Sequence, residues 1–202
     1  CIRDRKYTLY KPNSKNSGSA FSFDLTNDRN NKPVLFVSMI QQYSWNDSTK
    51  NGSFKENAKN PEKSATIMLN ETEAGEFLSS FKVRIPYVAF HKREDSSTII
   101  KLNPWDKKRK VKEKGEDSFY TTPAWGLSVS RNSSQLFQLP IEGGEAEALS
   151  ELLKAYIGKV FEFNSNAYKR DDSKKQYQSP QSQNNPPKQQ YKEEPEEDDV
   201  PF

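Results

Sequence analysis

Basic and aromatic residues are interleaved in two stretches of this 202-residue chain. The first stretch, KLNPWDKKRKVKEKGEDSFY, covers residues 101–120 and places a run of cations between Trp105 and Phe119. Such cations neutralise phosphates, and a nearby ring stacks on a base, which is typically worth about 1–3 kcal/mol per base. A solvated hairpin tip without a ligand is the alternative interpretation. The predicted binding residues here are Lys101, Trp105, Lys107, Lys108, Arg109, Lys110 and Lys112.

The second stretch, QQYSWNDSTKNGSFK, covers residues 41–55 and sets three aromatic residues among lysines and amides. A segment this rich in Asn and Ser is expected at the surface, where an exposed Trp45 indicates a binding partner. The alternative is that the Trp45 ring folds back over the edge of the core. The candidates from this stretch are Tyr43, Trp45, Lys50 and Lys55, and Arg131 completes the predicted nucleic-acid-binding set.

Residue types that carry catalysis are scarce in this chain. The sequence shows no Gly-rich phosphate loop, no GxSxG and no HExxH, and no carboxylate pair stands out among the 28 acidic residues. Cys1 is the only cysteine and His91 the only histidine, so zinc sites and His-dependent catalysis lack their usual parts. We therefore expect a protein that is not an enzyme and has no cofactor or metal, with His91 at the surface or near a phosphate. A metal-dependent nuclease built from Asp and Glu is the alternative.

The composition predicts one domain followed by a polar tail. Only 32% of residues are hydrophobic, 29% are charged and the mean hydropathy is −1.02, yet 12% are aromatic, a high share for so polar a chain. Length allows one ordinary domain and leaves little room for two. No apolar run approaches the roughly 20 residues that a membrane helix needs, so we expect a cytoplasmic protein that does not bind membranes.

The hydrophobic pattern stops near residue 169. We predict a domain over residues 1–168, a disordered linker of Gln, Ser, Asn, Pro and Lys over 169–192, and an acidic tip over 193–202. The tip has a charge of −6, whereas the chain before residue 169 has a charge of +5. A basic body joined to an acidic tether indicates a surface that binds polyanions.

The spacing of apolar residues predicts strands followed by a helix in the first half of the body. Phe21 and Phe23 alternate with polar residues, and residues 33–43 form a longer β-rich run. We expect Phe21, Phe23 and Phe36 to supply core rather than a stacking platform. After another alternating strand, Asn70 is placed to cap a helix with Glu73 reaching back. The apolar face of that helix is predicted to be Ala74, Phe77, Leu78 and Phe81.

The second half repeats this order. Strands are predicted over residues 83–90, 97–103, 124–130 and 134–141, and a second helix follows with Ala146, Leu149, Leu153 and Tyr156 on one face. An internal duplication of a strand-strand-strand-helix unit and a chance match are both consistent with this pattern. The predicted fold class is α+β, with antiparallel β-sheets and two helices.

Both predicted helices carry Glu and a leucine face suited to packing, so neither is suited to enter a groove of duplex DNA. Aromatic residues and basic loops on a sheet suit unstacked bases instead. This favours single strands as the ligand.

The last residues, EEDDVPF, resemble the acidic C-terminal tip of bacterial and phage single-stranded DNA-binding proteins, which ends in Pro-Phe. In that family the final Phe docks in an apolar pocket of replication and repair proteins, and the carboxylates bind basic residues there. Val200 stands where that family more often has Ile or Leu. The resemblance implies a partner-binding segment made of Glu196, Glu197, Asp198, Asp199, Val200, Pro201 and Phe202.

The body, strands followed by a helix twice over, is similar to the Whirly and positive-cofactor-four group of single-stranded DNA-binding proteins. In that group curved antiparallel sheets bind the strand and helices mediate oligomerisation, so the resemblance implies a homo-oligomer. A five-stranded oligonucleotide-binding barrel with one helix fits the pattern less well. The predicted function is sequence-tolerant binding of single-stranded DNA in replication, recombination and repair. An RNA-binding or transcription-regulating module and a non-enzymatic phage adaptor are the alternatives.

Overall fold

The computed structural model describes residues 5–94, 96–113 and 116–176, with side chains described except at 113, 116 and 167–176. Within these residues the chain forms ten strands and two α-helices, and a short 3-10 helix, Glu56–Lys59, precedes the sixth strand. The strands are β1 (Arg5–Lys11), β2 (Ser19–Asn27), β3 (Pro33–Gln41), β4 (Ser44–Asn46), β5 (Asn51–Ser53), β6 (Ser64–Leu69), β7 (Tyr87–Arg93), β8 (Ser96–Glu113), β9 (Glu116–Arg131) and β10 (Gln135–Glu142). The helices are α1 (Glu71–Val83) and α2 (Gly143–Gln176).

Two antiparallel four-stranded sheets carry the fold. The first has the order β1-β2-β3-β6 and the second the order β10-β9-β8-β7, while β4 and β5 pair as a small separate hairpin. Each sheet is a meander that ends in a helix, and the first is interrupted by the β4–β5 hairpin and the 3-10 helix. The predicted α+β class with antiparallel sheets and two helices is confirmed, and each sheet has four strands, one more than the predicted strand-strand-strand-helix unit.

Alternation along the strands determines which face is buried. In β2, Phe21, Phe23 and Leu25 are fully buried, while the intervening Ser22 and Asp24 are partly exposed. Phe36 of β3 is 36% exposed, so its predicted place in the core is wrong. The register pairs Phe36 with Asp24 on one side and Met68 on the other, and Met68 is exposed, so Phe36 lies on the solvent face of the first sheet.

Helix α1 begins where the capping residues predict. The side chain of Asn70 accepts a hydrogen bond of 2.8 Å from the backbone N–H of Glu73, and the Glu73 carboxylate accepts one of 2.9 Å from the backbone N–H of Asn70. The helix ends at Val83, and Arg84 follows in the left-handed region with φ 56°. The strand predicted over residues 83–90 therefore starts later, at Tyr87.

The two sheets and the two helices share one core. The predicted faces of both helices contribute buried residues, including Phe77 of α1 and Leu153 of α2. Two buried polar groups of this core are hydrogen-bonded: the Tyr156 hydroxyl donates to the Leu69 carbonyl at 3.1 Å, and the Trp125 indole N–H donates to the Ser80 carbonyl at 3.2 Å.

Strands β8 and β9 extend far beyond their neighbours. They pair without a break from Thr98–Arg131 to Glu113–Glu116, whereas β7 stops opposite Leu102 and β10 stops opposite Ala124. Residues 106–113 and 116–123 therefore pair only with each other. We call this two-stranded extension the ribbon; at about 3.3 Å per residue it is roughly 26 Å long. The strand predicted over residues 97–103 is much longer than expected, because it continues through the run of cations to residue 113.

The chain divides into two units, Cys1–Asn166 and Ala167–Phe202, and both sheets belong to the first. The predicted boundary at residue 168 falls within α2. Most of the predicted linker, and the whole tip, lie outside the described residues, so these segments remain predictions. Of the helices described, none is long and apolar enough to cross a membrane.

Candidate nucleic-acid interface

One face of the second sheet brings together four of the predicted residues. Ile100 and Leu102 of β8 are buried in the core. The odd-numbered residues of β8 therefore point away from the core. We call this side the outer face. Because the β8–β9 pairing is unbroken, the outer face continues into the ribbon. The outer-face candidates are Lys101, Trp105, Lys107 and Arg109.

Trp105 forms one side of an open groove on the outer face. Its side chain is 42% exposed, and the groove of about 350 Å³ is also lined by Asn103, Gly126, Ser128 and Pro140. Gly126 leaves this space open, because a Cβ there would meet no atom closer than the Asn103 carbonyl oxygen at 3.9 Å. A half-exposed indole beside an open groove can stack on a planar ligand.

The cations next to this groove share one carboxylate. Glu142, the last residue of β10, accepts from the Lys107 ammonium at 2.5 Å and also forms an ion pair with the Arg109 guanidinium. Arg109 donates to the Thr122 hydroxyl at 3.3 Å as well. The hydrogen bond from Lys107 lowers the pKa of Glu142, and the charges of Lys107, Arg109 and Lys11 act in the same direction. The Glu142 carboxylate thus already engages two of the cations that could contact a phosphate.

The ribbon presents cations and an aromatic ring on each of its faces. Phe119 is 68% exposed and Tyr120 is 48% exposed, and as neighbours in one strand they point to opposite faces. Tyr120 pairs with Arg109, and Phe119 pairs with Lys110, which forms an ion pair with Asp117. Lys108 and Lys112 are exposed on the Phe119 face.

The second predicted stretch forms the β4–β5 hairpin, at one end of the first sheet. Trp45 lies in β4, is partly buried, and its indole N–H donates to Asp47 at 3.1 Å. Lys50 lies in the turn and forms an exposed ion pair of 3.5 Å with the same Asp47. Tyr43 precedes β4 and is 56% exposed. Trp45 is therefore engaged within the hairpin, whereas Tyr43 is available to a ligand.

Lys55 lines a wide apolar groove that the sequence did not predict. The groove measures about 470 Å³, and Tyr10, Pro12, Ile40 and Phe54 also line it. The rings of Tyr10 and Phe54 lie 5.9 Å apart between centroids. Tyr10 is 63% exposed and follows the buried Leu9 in β1. The alternation of residues in KYTLYK was therefore a sequence signal that Tyr10 lies on the exposed face of this strand.

The predicted residues thus fall in three places. The outer face and ribbon hold one group, the β4–β5 hairpin with its groove holds another, and Arg131 lies at the far end of the second sheet beside Arg93. Among the described residues, no hydrogen bond, ion pair or ring contact joins Trp45 to Trp105 or to the ribbon. His91 is half-buried and hydrogen-bonded to Glu73, so it is less exposed than predicted.

No protein-family model and no curated protein matches the chain. Solved structures do match. WHY1 from Arabidopsis thaliana, a Whirly protein, superposes with a TM-score of 0.52 over 90% of this chain and 99% of its own, at 12% identity. The plant transcriptional regulator PBF-2 superposes with a TM-score of 0.50 over 84% of this chain and 88% of its own, at 10% identity. The chain therefore has a Whirly-like fold, as the order of its elements predicts.

Proposed function

We propose that this protein binds single-stranded DNA without sequence preference through the outer face, and that it acts without catalysis to protect unwound DNA in replication, recombination and repair. The observation that carries the proposal is the half-exposed Trp105 beside an open groove, on the face that also holds Lys101, Lys107 and Arg109. The Whirly-like fold supports it, because the resemblance to that group implies binding of single strands on antiparallel sheets.

The physical basis of this binding is stacking combined with phosphate neutralisation. A base stacked on Trp105 contributes about 1–3 kcal/mol whatever its identity, because every base has an aromatic face. Three cations on the outer face neutralise up to three phosphates, so the slope of log K against log salt is expected near −2 for these contacts, at about −0.7 per phosphate. Contacts from the ribbon would make the slope steeper.

Tryptophan fluorescence during titration with oligo(dT) tests the proposal. Trp125 is 5% exposed and serves as an internal reference, so quenching should come from Trp105. We expect quenching at low salt in the natural chain and in Trp45→Phe, and weak quenching with at least tenfold weaker binding in Trp105→Phe. Unchanged fluorescence, together with unchanged anisotropy of a labelled oligo(dT), would rule the proposal out.

The ribbon supports a second candidate function. A two-stranded β-ribbon fits the major groove of duplex DNA, which is about 12 Å wide, and this ribbon carries five cations. The helices do not favour duplex binding, but the ribbon does. Duplex binding would suit a transcription-regulating module, so it is the alternative function. Competition between labelled oligo(dT) and unlabelled duplex, oligo(dT) or ribo-oligomer of equal length separates the candidates. Stronger competition by duplex or by RNA would favour the alternative.

We further propose that residues 196–202 bind replication or repair proteins, on the strength of the Pro-Phe ending and the −6 charge of the last ten residues. Deleting residues 193–202 is expected to leave oligo(dT) binding unchanged or stronger, because an acidic segment competes for basic surfaces. The full chain should retain a partner protein after nuclease treatment, which removes proteins held only through nucleic acid. The deleted chain should not retain that partner. Retention of that partner by the deleted chain would contradict this role. If the full chain binds partner proteins but does not bind oligo(dT), the protein is an adaptor.

A further inference from the structure

A small polar cleft lies at the end of the second sheet, away from the groove beside Trp105. It is formed where the ends of β7, β8 and β9 approach β6 of the first sheet, and it has a volume of about 40 Å³. That is roughly a tenth of the groove on the outer face, which measures about 350 Å³. The cleft therefore suits a single compact polar group and excludes a base with its sugar.

Strand register brings two arginines to this cleft. His91 of β7, Thr98 of β8 and Arg131 of β9 are neighbours across the sheet, and Arg93 pairs with Ser96 two positions further along, on the same face. Thr98 is 7% exposed and belongs to the inner face, in line with the buried Ile100. The two guanidinium groups thus approach the cleft from the side opposite to Trp105.

The positive charge in the cleft is not neutralised by the residues that the structure describes. Neither Arg93 nor Arg131 takes part in an ion pair there. The carboxylate that reaches this region, Glu73, is already engaged: one oxygen accepts from the Asn70 backbone N–H at 2.9 Å and the other bonds to His91 at 2.5 Å. Two like charges held together favour an anion between them.

We propose that this cleft binds one phosphate group, and that the phosphate is the terminal phosphate of a nucleic-acid strand. A terminal phosphate carries close to two negative charges at pH 7, matching two guanidinium groups, whereas a phosphate within the strand carries one. The Thr98 and Ser96 hydroxyls supply further donors at the same site. This inference rests on the proposed function, because it takes a bound strand as the source of the phosphate.

Oligo(dT) of one length, labelled internally and ending in a 5′-phosphate, a 3′-phosphate or hydroxyls only, tests the proposal by anisotropy. We expect one phosphorylated form to bind the natural chain about three- to tenfold more tightly than the hydroxyl form. Arg93→Gln should reduce this preference while binding the hydroxyl form nearly as well, and Arg93→Gln/Arg131→Gln should abolish it. The matched control Lys82→Gln/Lys92→Gln loses the same charge at exposed positions outside the cleft and should keep the preference.

Equal binding of all three forms by the natural chain, or a preference that survives the double substitution, would overturn the proposal. Arg93 is exposed, so Arg93→Gln alone is expected to fold and gives the same test if the double variant does not. A second measurement, the melting temperature with and without inorganic phosphate, distinguishes free phosphate from a strand end as the ligand. If phosphate at constant ionic strength raises the melting temperature and strand ends have no effect, the ligand is free phosphate and the strand-end assignment is wrong.

The two proposals fail separately. Trp105→Phe should weaken binding of the hydroxyl form while leaving the preference for the phosphorylated form intact. If the natural chain binds all three forms equally but still shows normal quenching with oligo(dT), the cleft is refuted and the outer face stands.

Discussion

The Lys107 ammonium lies 2.5 Å from the Glu142 carboxylate, and this contact ties the base of the ribbon to the start of α2. The same carboxylate pairs with Arg109, so one acidic side chain engages two of the cations on the outer face. A phosphate bound beside Trp105 must compete with Glu142 for them. The outer face is therefore partly screened from its ligand by the protein's own carboxylate.

Replacing Glu142 with Gln should strengthen binding of single strands. The substitution frees Lys107 and Arg109 for phosphates, so we expect affinity for oligo(dT) to rise about two- to tenfold at low salt, with a steeper salt dependence. Anisotropy titrations at several salt concentrations measure both effects. Glu151→Gln, which removes an exposed carboxylate paired with Lys154, is the matched control and should change little. Weaker binding by the Glu142 variant would contradict this competition.

The same substitution should also change stability in a pH-dependent way. The pKa of Glu142 is lowered in the folded protein, chiefly by the hydrogen bond from Lys107. Its stabilisation is therefore complete above the ordinary carboxyl pKa and is lost as the pH falls through the lowered value. We expect Glu142→Gln to reduce the free energy of unfolding by up to about 1 kcal/mol at pH 7. Urea denaturation should show this difference vanish at pH values well below the ordinary carboxyl pKa, and a difference that grew on acidification would contradict it.

Filling the groove beside Trp105 should block the ligand without disturbing the fold. Gly126 has a backbone conformation open to other residues and free space around its missing Cβ. We expect Gly126→Leu to fold normally and to bind oligo(dT) at least tenfold more weakly, because the added side chain occupies the stacking position. Gly126→Ala is the matched control and should bind nearly as the natural chain does. Full affinity of Gly126→Leu for oligo(dT) would mean that the bases do not bind in this groove.

The length of the ribbon could not be predicted from the sequence, for a physical reason. Alternation identifies a strand only where one of its faces is buried, as it is for Ile100 and Leu102 in the paired part of β8. Beyond Trp105 no third strand among the described residues pairs with the hairpin, so neither face is buried in the core and the period-2 signal disappears. The α1 cap was predictable, in contrast, because Asn70 and Glu73 bond to each other's backbone within four residues.

The site was predictable only where its parts are close in sequence. Trp105, Lys107 and Arg109 share a face because they alternate along one strand. Tyr10 and Phe54 meet through folding, 44 positions apart, and no local pattern links them. Arg93 and Arg131 converge through the register of three strands, which the sequence does not specify.

The N-terminal cap of α1 provides a stability test that is independent of the ligand. Asn70→Ala removes the acceptor for the Glu73 backbone N–H, which typically costs about 1 kcal/mol. In a domain of this size that corresponds to a fall in melting temperature of about 2–4 °C. Asn70→Asp keeps the acceptor and should melt close to the natural chain. Equal melting of the Ala and Asp variants would show that the cap contributes nothing.

Tyr156 links stability to alkaline pH. Its hydroxyl is buried and donates to the Leu69 carbonyl, and burial raises the pKa of this phenol to about 12, with Glu71 and Glu73 adding to the shift. Because the pKa of the Tyr156 phenol is lower in the unfolded chain than in the folded protein, the unfolded chain loses this proton first as the pH rises. The stabilisation from the neutral phenol is therefore complete below about pH 10 and is lost between about pH 10 and 12.

Tyr156→Phe removes both the hydrogen bond and this titration. At pH 8 we expect the variant to be less stable by about 1 kcal/mol, because the Leu69 carbonyl loses its donor. The difference should narrow above about pH 10 and reverse before about pH 12, since the phenylalanine has no proton to lose. Urea midpoints at about pH 8, 10 and 11.5 measure this course, with the exposed Tyr120→Phe as control. A difference that stayed constant with pH would mean that the Tyr156 phenol titrates equally in the folded and unfolded chains.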